Sequence, residues 1–110
     1  GYTAAAQGSV TQLTSKSTGV TLNKSAGRIT MNNAALAGNT AVSFALTNSL
    51  ISANDISILN ISGGAVADPT AYTAYVSGMG TGTVAITLRD LTASSQSAAV
   101  VLNFALIHCL

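Results

Sequence analysis

The fold of this chain is decided by two stretches, Thr40-Ala-Val-Ser-Phe-Ala-Leu-Thr47 and Thr83-Val-Ala-Ile-Thr-Leu-Arg89. In both, a large apolar residue stands at every second position, and small or polar residues stand between. Successive side chains of a β-strand point to opposite faces, so this alternation predicts two half-buried strands. The side chains expected to face the core are Val42, Phe44, Leu46, Val84, Ile86 and Leu88.

Working outward from these stretches, six further runs have strand character and are separated by turn residues such as Asn, Asp, Gly and Ser. They are residues 9–13, 19–22, 27–33, 55–61, 72–76 and 98–107. Glu does not occur at all, so the usual solvent face of an amphipathic helix is missing. We therefore predict an all-β fold: an antiparallel β-sandwich of about eight short strands, jelly-roll or immunoglobulin-like. Residues 1–8 are expected to form an N-terminal arm, and residues 9–110 a single domain.

The last run is apolar on both sides. Val100, Leu102, Phe104 and Leu106 alternate with Val101, Asn103, Ala105 and Ile107. This pattern predicts either a central strand or a strand whose second face lies against a partner subunit.

Charge is scarce along the whole chain. Only 6% of the 110 residues are charged, against about 25% in ordinary soluble domains, and the net charge is +1. Four basic residues make no face dense enough to follow a phosphate backbone, so nucleic-acid binding is not expected. The apolar C-terminal stretch is too short for a transmembrane helix, and we expect no membrane partner. So little charge favours a surface that other subunits cover.

No residue pattern predicts catalytic, cofactor-binding or metal-binding residues. The run Gly78-x-Gly80-x-Gly82 precedes a strand rather than a helix, which favours a hairpin turn over a phosphate loop. His108 and Cys109 are neighbours without further ligands, so we interpret them as a packing pair of the terminal strand.

The three acidic residues and the tyrosines also have structural interpretations. Asp55, Asp68 and Asp90 lie at predicted turns or strand ends, where capping of turns is the expected role. Tyr72 and Tyr75 are three residues apart, which places them on opposite faces of a strand. We expect them to pack in a core or an interface rather than to form a sugar-binding platform.

Four segments carry a family resemblance: residues 8–24 (GSVTQLTSKSTGVTLNK), 27–33 (GRITMNN), 42–48 (VSFALTN) and 100–107 (VVLNFALI). Together they resemble a small all-β module of tailed-bacteriophage virion proteins. That module occurs alone as a structural protein and at the C-terminal end of tail-spike or fibre-like chains. The resemblance implies an exposed virion component, a homotrimer, and no active site.

The first hypothesis is therefore a non-enzymatic capsid decoration (cement) protein on the virion surface, assembled in the bacterial cytoplasm. Its partners would be other copies of itself and the major capsid protein or another virion protein. The arm would dock on the capsid through Tyr2, Thr3 and Gln7. The residues predicted for the subunit interface are Val100, Val101, Leu102, Phe104, Leu106, Ile107 and Leu110.

Two alternatives remain at this point. One is a receptor- or glycan-binding tip module of a tail fibre or spike. The other is a polysaccharide-cleaving domain, against which the lack of an evident acid–base pair argues.

Overall fold

Eight β-strands and one short 3-10 helix make up the regular structure. The structure is a computed structural model that describes residues 3–62 and 66–109. The 3-10 helix spans Ala4–Ala6. The strands are β1 (Gln7–Thr11), β2 (Val20–Thr21), β3 (Ala26–Thr30), β4 (Ala41–Thr47), β5 (Ile56–Ile61), β6 (Tyr72–Gly80), β7 (Thr83–Asp90) and β8 (Val101–Ile107).

The strands form two four-stranded sheets that pack face to face. The first sheet has the order β1-β3-β8-β5, and the second sheet has the order β2-β4-β7-β6. The predicted all-β sandwich is thus confirmed. Four of the six strand pairings are antiparallel, while β1–β3 and β2–β4 are parallel. Each sheet therefore has a parallel pair of strands at one edge. The alternation of apolar residues within a single strand does not determine which strands pair, or in which direction.

All eight predicted strands are present, with shifted ends. The largest change is in β6, which continues through Gly78 to Gly80 and contains a bulge between Val76 and Gly78. The glycine run does form a hairpin, as predicted. Its turn is Thr81 and Gly82, and Gly82 has φ +77°, which glycine adopts without steric strain.

The core lies between the sheets and is built by the alternation that the sequence displays. Phe44 and Leu46 of β4 and Val84, Ile86 and Leu88 of β7 are buried as predicted, and Val42 is half-buried. The facing side chains from the first sheet are Ile29, Leu102, Phe104 and Leu106. β8 is a central strand, with β3 on one side and β5 on the other.

A buried polar cluster fixes the long connection between β1 and β2. Gln12 Nε2 donates to the carbonyl oxygens of Lys16 (3.0 Å) and Thr18 (2.8 Å). Lys16 is 3% exposed, and its Nζ donates to the carbonyl oxygens of Asn32 and Ala98. Burial lowers the pKa of Lys16, because desolvation disfavours the charged ammonium. This connection is therefore part of the domain rather than a loose loop.

The N-terminal segment is joined to the sandwich. β1 begins at Gln7 and pairs with β3 from that residue onward, and Lys24 Nζ donates to the carbonyl oxygen of Ala5 at 3.0 Å. Gln7 and Gly8, which the sequence predicts to belong to the arm, are thus strand residues of the domain.

Gly27 of β3 lies against the backbone of β1. It stands opposite Gly8, and a Cβ on Gly27 would overlap the Gly8 carbonyl oxygen. We predict that Gly27→Ala lowers the free energy of unfolding by about 1–3 kcal/mol, because β1 must move. Urea denaturation followed by circular dichroism measures this. Gly78→Ala is the control, since its Cβ would have its nearest neighbour at 3.5 Å. Equal midpoints for the two variants would contradict the prediction.

Candidate functional site

The surface holds fewer charges than the sequence alone suggests. Of the seven charged residues, Lys16 (3% exposed), Asp55 (6%) and Asp90 (0%) are buried. The surface charges are those of Lys24, Arg28, Asp68 and Arg89. A surface with four formal charges has little electrostatic protection against association.

An apolar patch lies on the outer face of the first sheet, where β5 pairs with β8. Ile56 is 52% exposed, Ile58 51% and Ile107 46%. Ile56 is paired in register with Ile107, and Ile58 with Ala105. We call these four residues the outer patch; the half-buried Val101 lies on the same face, beyond the Asn60–Asn103 pair. Isolated exposed apolar residues are ordinary, but a contiguous group on one sheet face is typical of an interaction surface.

Most of the residues predicted for a subunit interface lie elsewhere. Val100, Leu102, Phe104 and Leu106 are 0–4% exposed and belong to the domain's own core, so the interface prediction is corrected for these four. The reason is that both sides of β8 are apolar, and only one of them faces outward. Val101 and Ile107 lie on that outward side. Leu110 is outside the described residues.

Two of the three residues predicted for capsid docking, Thr3 and Gln7, are among the described residues. Thr3 and Gln7 are exposed, and Gln7 Nε2 donates to the carbonyl oxygen of Thr3 at 3.3 Å. Tyr2 is outside the described residues. Thr3 and Gln7 therefore lie together at the surface beside the start of β1.

A cluster that sequence reasoning missed is centred on Asp55, just before β5. Its Oδ2 accepts from the Ser52 N–H (2.9 Å) and contacts His108 Nδ1 at 2.9 Å. Its Oδ1 accepts from the Ser52 hydroxyl (2.8 Å) and the Cys109 N–H (3.2 Å). His108 is therefore not a packed terminal residue as predicted: 57% of its side chain is exposed, and it ties the end of β8 to the turn before β5.

The hydrogen bonds around Asp55 favour the ionised carboxylate. The Ser52 N–H makes the largest contribution, followed by the Ser52 hydroxyl, Cys109 and His108, and together they hold the pKa of Asp55 well below its usual range. Burial is the second-largest single influence and acts in the opposite direction, but the hydrogen bonds together outweigh it. These hydrogen bonds join the end of β8 to the turn before β5, so the cluster has a structural role.

The other two acidic residues cap turns, as predicted. Asp68 Oδ1 accepts from the N–H (2.9 Å) and hydroxyl (2.7 Å) of Thr70, which lowers the pKa of Asp68. Asp90 Oδ1 accepts the same two bonds from Thr92, at 2.8 and 2.7 Å. These carboxylates are used in local structure.

The tyrosines lie on opposite faces of β6, as predicted. Tyr72 is buried, and its hydroxyl accepts from the Ala98 N–H at 3.2 Å, whereas Tyr75 is 49% exposed. Desolvation raises the pKa of Tyr72. Of these two tyrosines, Tyr75 is therefore the one available at the surface.

The outer face of the second sheet carries hydroxyl side chains beside the exposed Tyr75 and Arg89. The Ser43 and Thr87 hydroxyls lie 2.7 Å apart, and Thr87 donates to Ser77 at 2.8 Å. Beside them is a shallow, open depression of about 250 Å³, lined by Gly78, Met79, Gly80, Thr83 and Ala85. This lining contains no titratable side chain, so it offers contact surface rather than acid–base chemistry.

The described residues contain neither a metal-binding cluster nor a membrane-spanning helix. Across residues 3–62 and 66–109, no three His, Cys, Asp or Glu side chains are grouped closely enough to hold a metal ion. Within the same residues, no helix has the length and apolar character needed to cross a membrane.

Comparison with known proteins gives no relative: no protein-family model, curated protein or solved structure matches this chain. The resemblance to phage virion modules thus stays a prediction from the sequence.

The Asp55 cluster generates a prediction about acid stability. Because the folded-state pKa of Asp55 is lowered, its contribution to stability is complete above the unfolded pKa of about 4 and is lost as the pH falls below it. We expect Asp55→Asn to unfold at a lower temperature than wild type at pH 7 and to lose less stability between about pH 4 and pH 2.

Thermal unfolding by circular dichroism across this pH range measures the effect. Asp68→Asn is the matched control, since Asp68 is exposed and accepts bonds from one residue alone. We expect a smaller change for it at both ends of the range. An unchanged acid slope in Asp55→Asn would contradict the role of this cluster.

Proposed function

We propose that this chain is a non-enzymatic structural protein of a bacteriophage virion. Its proposed role is that of a capsid decoration, or cement, protein that acts as a homotrimer on the particle surface. Its partners would be sister copies and the major capsid protein or another virion protein. The observation that carries the proposal is the outer patch, set in a surface with four formal charges.

The outer patch supports self-association on energetic grounds. Burying the exposed half of an isoleucine contributes about 1 kcal/mol, so Ile56, Ile58 and Ile107 together contribute a few kcal/mol per copy. No charged residue belongs to the outer patch, and Arg28 is the one charged side chain on the outer face of the first sheet. An approaching apolar surface therefore meets almost no desolvation penalty from charge.

The proposed mechanism is mechanical. The domain is rigid where the outer patch is presented, because β8 is a central strand and its C-terminal end is fastened through His108 and Cys109 to Asp55. A rigid sheet face that buries apolar area against sister subunits and the underlying shell would resist outward pressure. The family resemblance of residues 8–24, 27–33, 42–48 and 100–107 supports a virion as the setting.

The trimer can be tested by placing a charge within the outer patch. We predict that the wild-type protein sediments as a trimer at micromolar concentration, and that Ile58→Lys weakens association at least tenfold. The reason is that the lysine must be desolvated at the contact. Thr47→Lys is the matched control, because it adds the same charge at an exposed strand position on the second sheet whose register partners, Thr21 and Thr83, are uncharged. A monomeric wild type, or equal association of Ile58→Lys, would contradict the proposal.

The proposed location on a virion can be tested on purified capsids. Purified protein added to capsids that lack it should bind and raise their disruption temperature, and Ile58→Lys should do so less. If capsids are unaffected while the protein binds sugars on a glycan array, the decoration role is wrong and a receptor-binding tip is favoured instead.

A further inference from the structure

Arg28 is an exposed charge beside the outer patch and has no ionic partner within the domain. It lies on the outer face of the first sheet opposite Asn103, two residues along β8 from Ala105 of the outer patch. Among the described residues, the one ion pair joins His108 to Asp55. The guanidinium of Arg28 is therefore free to pair with a carboxylate from outside the chain.

Covering the outer patch also removes water from Arg28. Diagonal neighbours on one sheet face lie about 7–8 Å apart, so a surface seated on Ala105 reaches Arg28 as well. A charge that loses water without gaining an opposite charge opposes the contact. A surface that covers the outer patch stably therefore has to bring a carboxylate to Arg28.

The chain itself has one exposed acidic side chain that can do this. Of its three acidic residues, Asp55 and Asp90 are buried and hydrogen-bonded inside the domain, whereas Asp68 is exposed. The hydroxyl and the N–H of Thr70 lower the pKa of Asp68, which keeps this carboxylate charged at neutral pH.

Asp68 lies beside exposed apolar side chains. Ala71 N–H donates to the Asp68 carbonyl oxygen at 3.1 Å, and Leu91 N–H donates to the Ala71 carbonyl oxygen at 2.8 Å. Leu91 is 49% exposed, and Ala67 and Pro69 are exposed as well. We call Ala67, Asp68, Pro69 and Leu91 the Asp68 corner. It combines apolar surface with one negative charge, as the outer patch combines apolar surface with one neighbouring positive charge.

The other exposed apolar side chains lack an acidic neighbour. Outside the outer patch and the Asp68 corner, the large apolar side chains exposed among the described residues are Leu13, Leu50 and Tyr75. Tyr75 shares its sheet face with Arg89, and Leu50 follows a turn that is bonded to the Lys24 carbonyl oxygen. The connection that holds Leu13 contains no acidic residue. Charge therefore selects the Asp68 corner as the surface complementary to the outer patch.

We propose that the outer patch of one copy binds the Asp68 corner of a second copy. Arg28 of the first copy pairs with Asp68 of the second, and Leu91 of the second packs on the exposed isoleucines of the first. A guanidinium and a carboxylate suit each other because two parallel N–H groups can donate to the two carboxylate oxygens. The pair offsets the loss of water from both charges.

This contact has the symmetry that the proposed trimer needs. The inference rests on the proposed self-association and names the two surfaces that carry it. Since they are different surfaces of the chain, the contact is heterologous, and three such contacts can close a ring. A face-to-face contact between two outer patches would instead bring two Arg28 side chains into one interface without a carboxylate.

The test reverses the two charges separately and together. Arg28→Glu and Asp68→Arg each place like charges opposite each other, so sedimentation equilibrium should show association about tenfold weaker or more. The double variant Arg28→Glu/Asp68→Arg restores opposite charges and should associate within about threefold of wild type. Arg89→Glu is the matched control, because it changes the net charge by the same amount on the second sheet. We expect it to associate within about twofold of wild type.

Thermal unfolding at a dilution that separates the copies shows whether each variant folds. In a separate copy the Asp68 carboxylate accepts bonds from Thr70. At that dilution, substitutions of Asp68 therefore report the stability of the chain and not its association.

Salt dependence gives a second readout that does not need Asp68→Arg to fold. Salt screens an ion pair at a surface, so the association of wild type should weaken as sodium chloride is added. Arg28→Gln should associate more weakly at low salt and respond less to added salt. Equal salt responses of wild type and Arg28→Gln would overturn the pairing.

The outcomes separate the pairing from the trimer. If wild type is a trimer and the double variant associates no better than the single variants, the pairing is wrong and the trimer stands. If the double variant recovers but wild type is not a trimer, the pairing stands and the trimer is wrong. If Arg28→Glu weakens capsid binding and leaves self-association unchanged, the carboxylate belongs to another protein and the pairing is wrong. A monomeric wild type overturns both.

Discussion

The pairing of β8 with two neighbours is the constraint on which the rest of the structure depends. It lies between β3 and β5 and is hydrogen-bonded to both, so it holds the first sheet together. Its inward side chains Leu102, Phe104 and Leu106 fill the core against the second sheet, and the residue after the strand, His108, reaches Asp55. Since β8 is held on both sides and at its end, its outward residues are presented on a rigid surface.

That surface follows from how the chain places its few charges. Lys16, Asp55 and Asp90 are used inside the domain, where each fastens a connection or a turn through hydrogen bonds. What remains outside is an outer face of the first sheet with one charged side chain, Arg28, and an outer face of the second sheet with mainly small side chains beside Tyr75 and Arg89. These surfaces suit contact with other protein surfaces better than solubility as an isolated copy.

The sequence predicts the fold well because alternation with period two is a local signal. Val84, Ile86 and Leu88 could be placed in the core from their spacing alone. β8 is different: both of its sides are apolar, so spacing could not tell the core side (Leu102) from the surface side (Ile107). The contact between Asp55 and His108 joins residues 53 apart in the chain, and the burial of Lys16 depends on carbonyl groups of distant segments. No local sequence pattern signals either the Asp55–His108 contact or the burial of Lys16.

The central claim is that the outer patch is covered in the assembled protein. The most direct measurement is the relaxation of isoleucine and leucine methyl groups by a soluble paramagnetic agent, recorded by NMR at an associating concentration. Leu13 is the solvent-exposed reference, at 69% exposure in the single copy. The methyls of Ile56, Ile58 and Ile107 should be strongly protected relative to Leu13. Relaxation as fast as that of Leu13 at all three isoleucines would contradict the account.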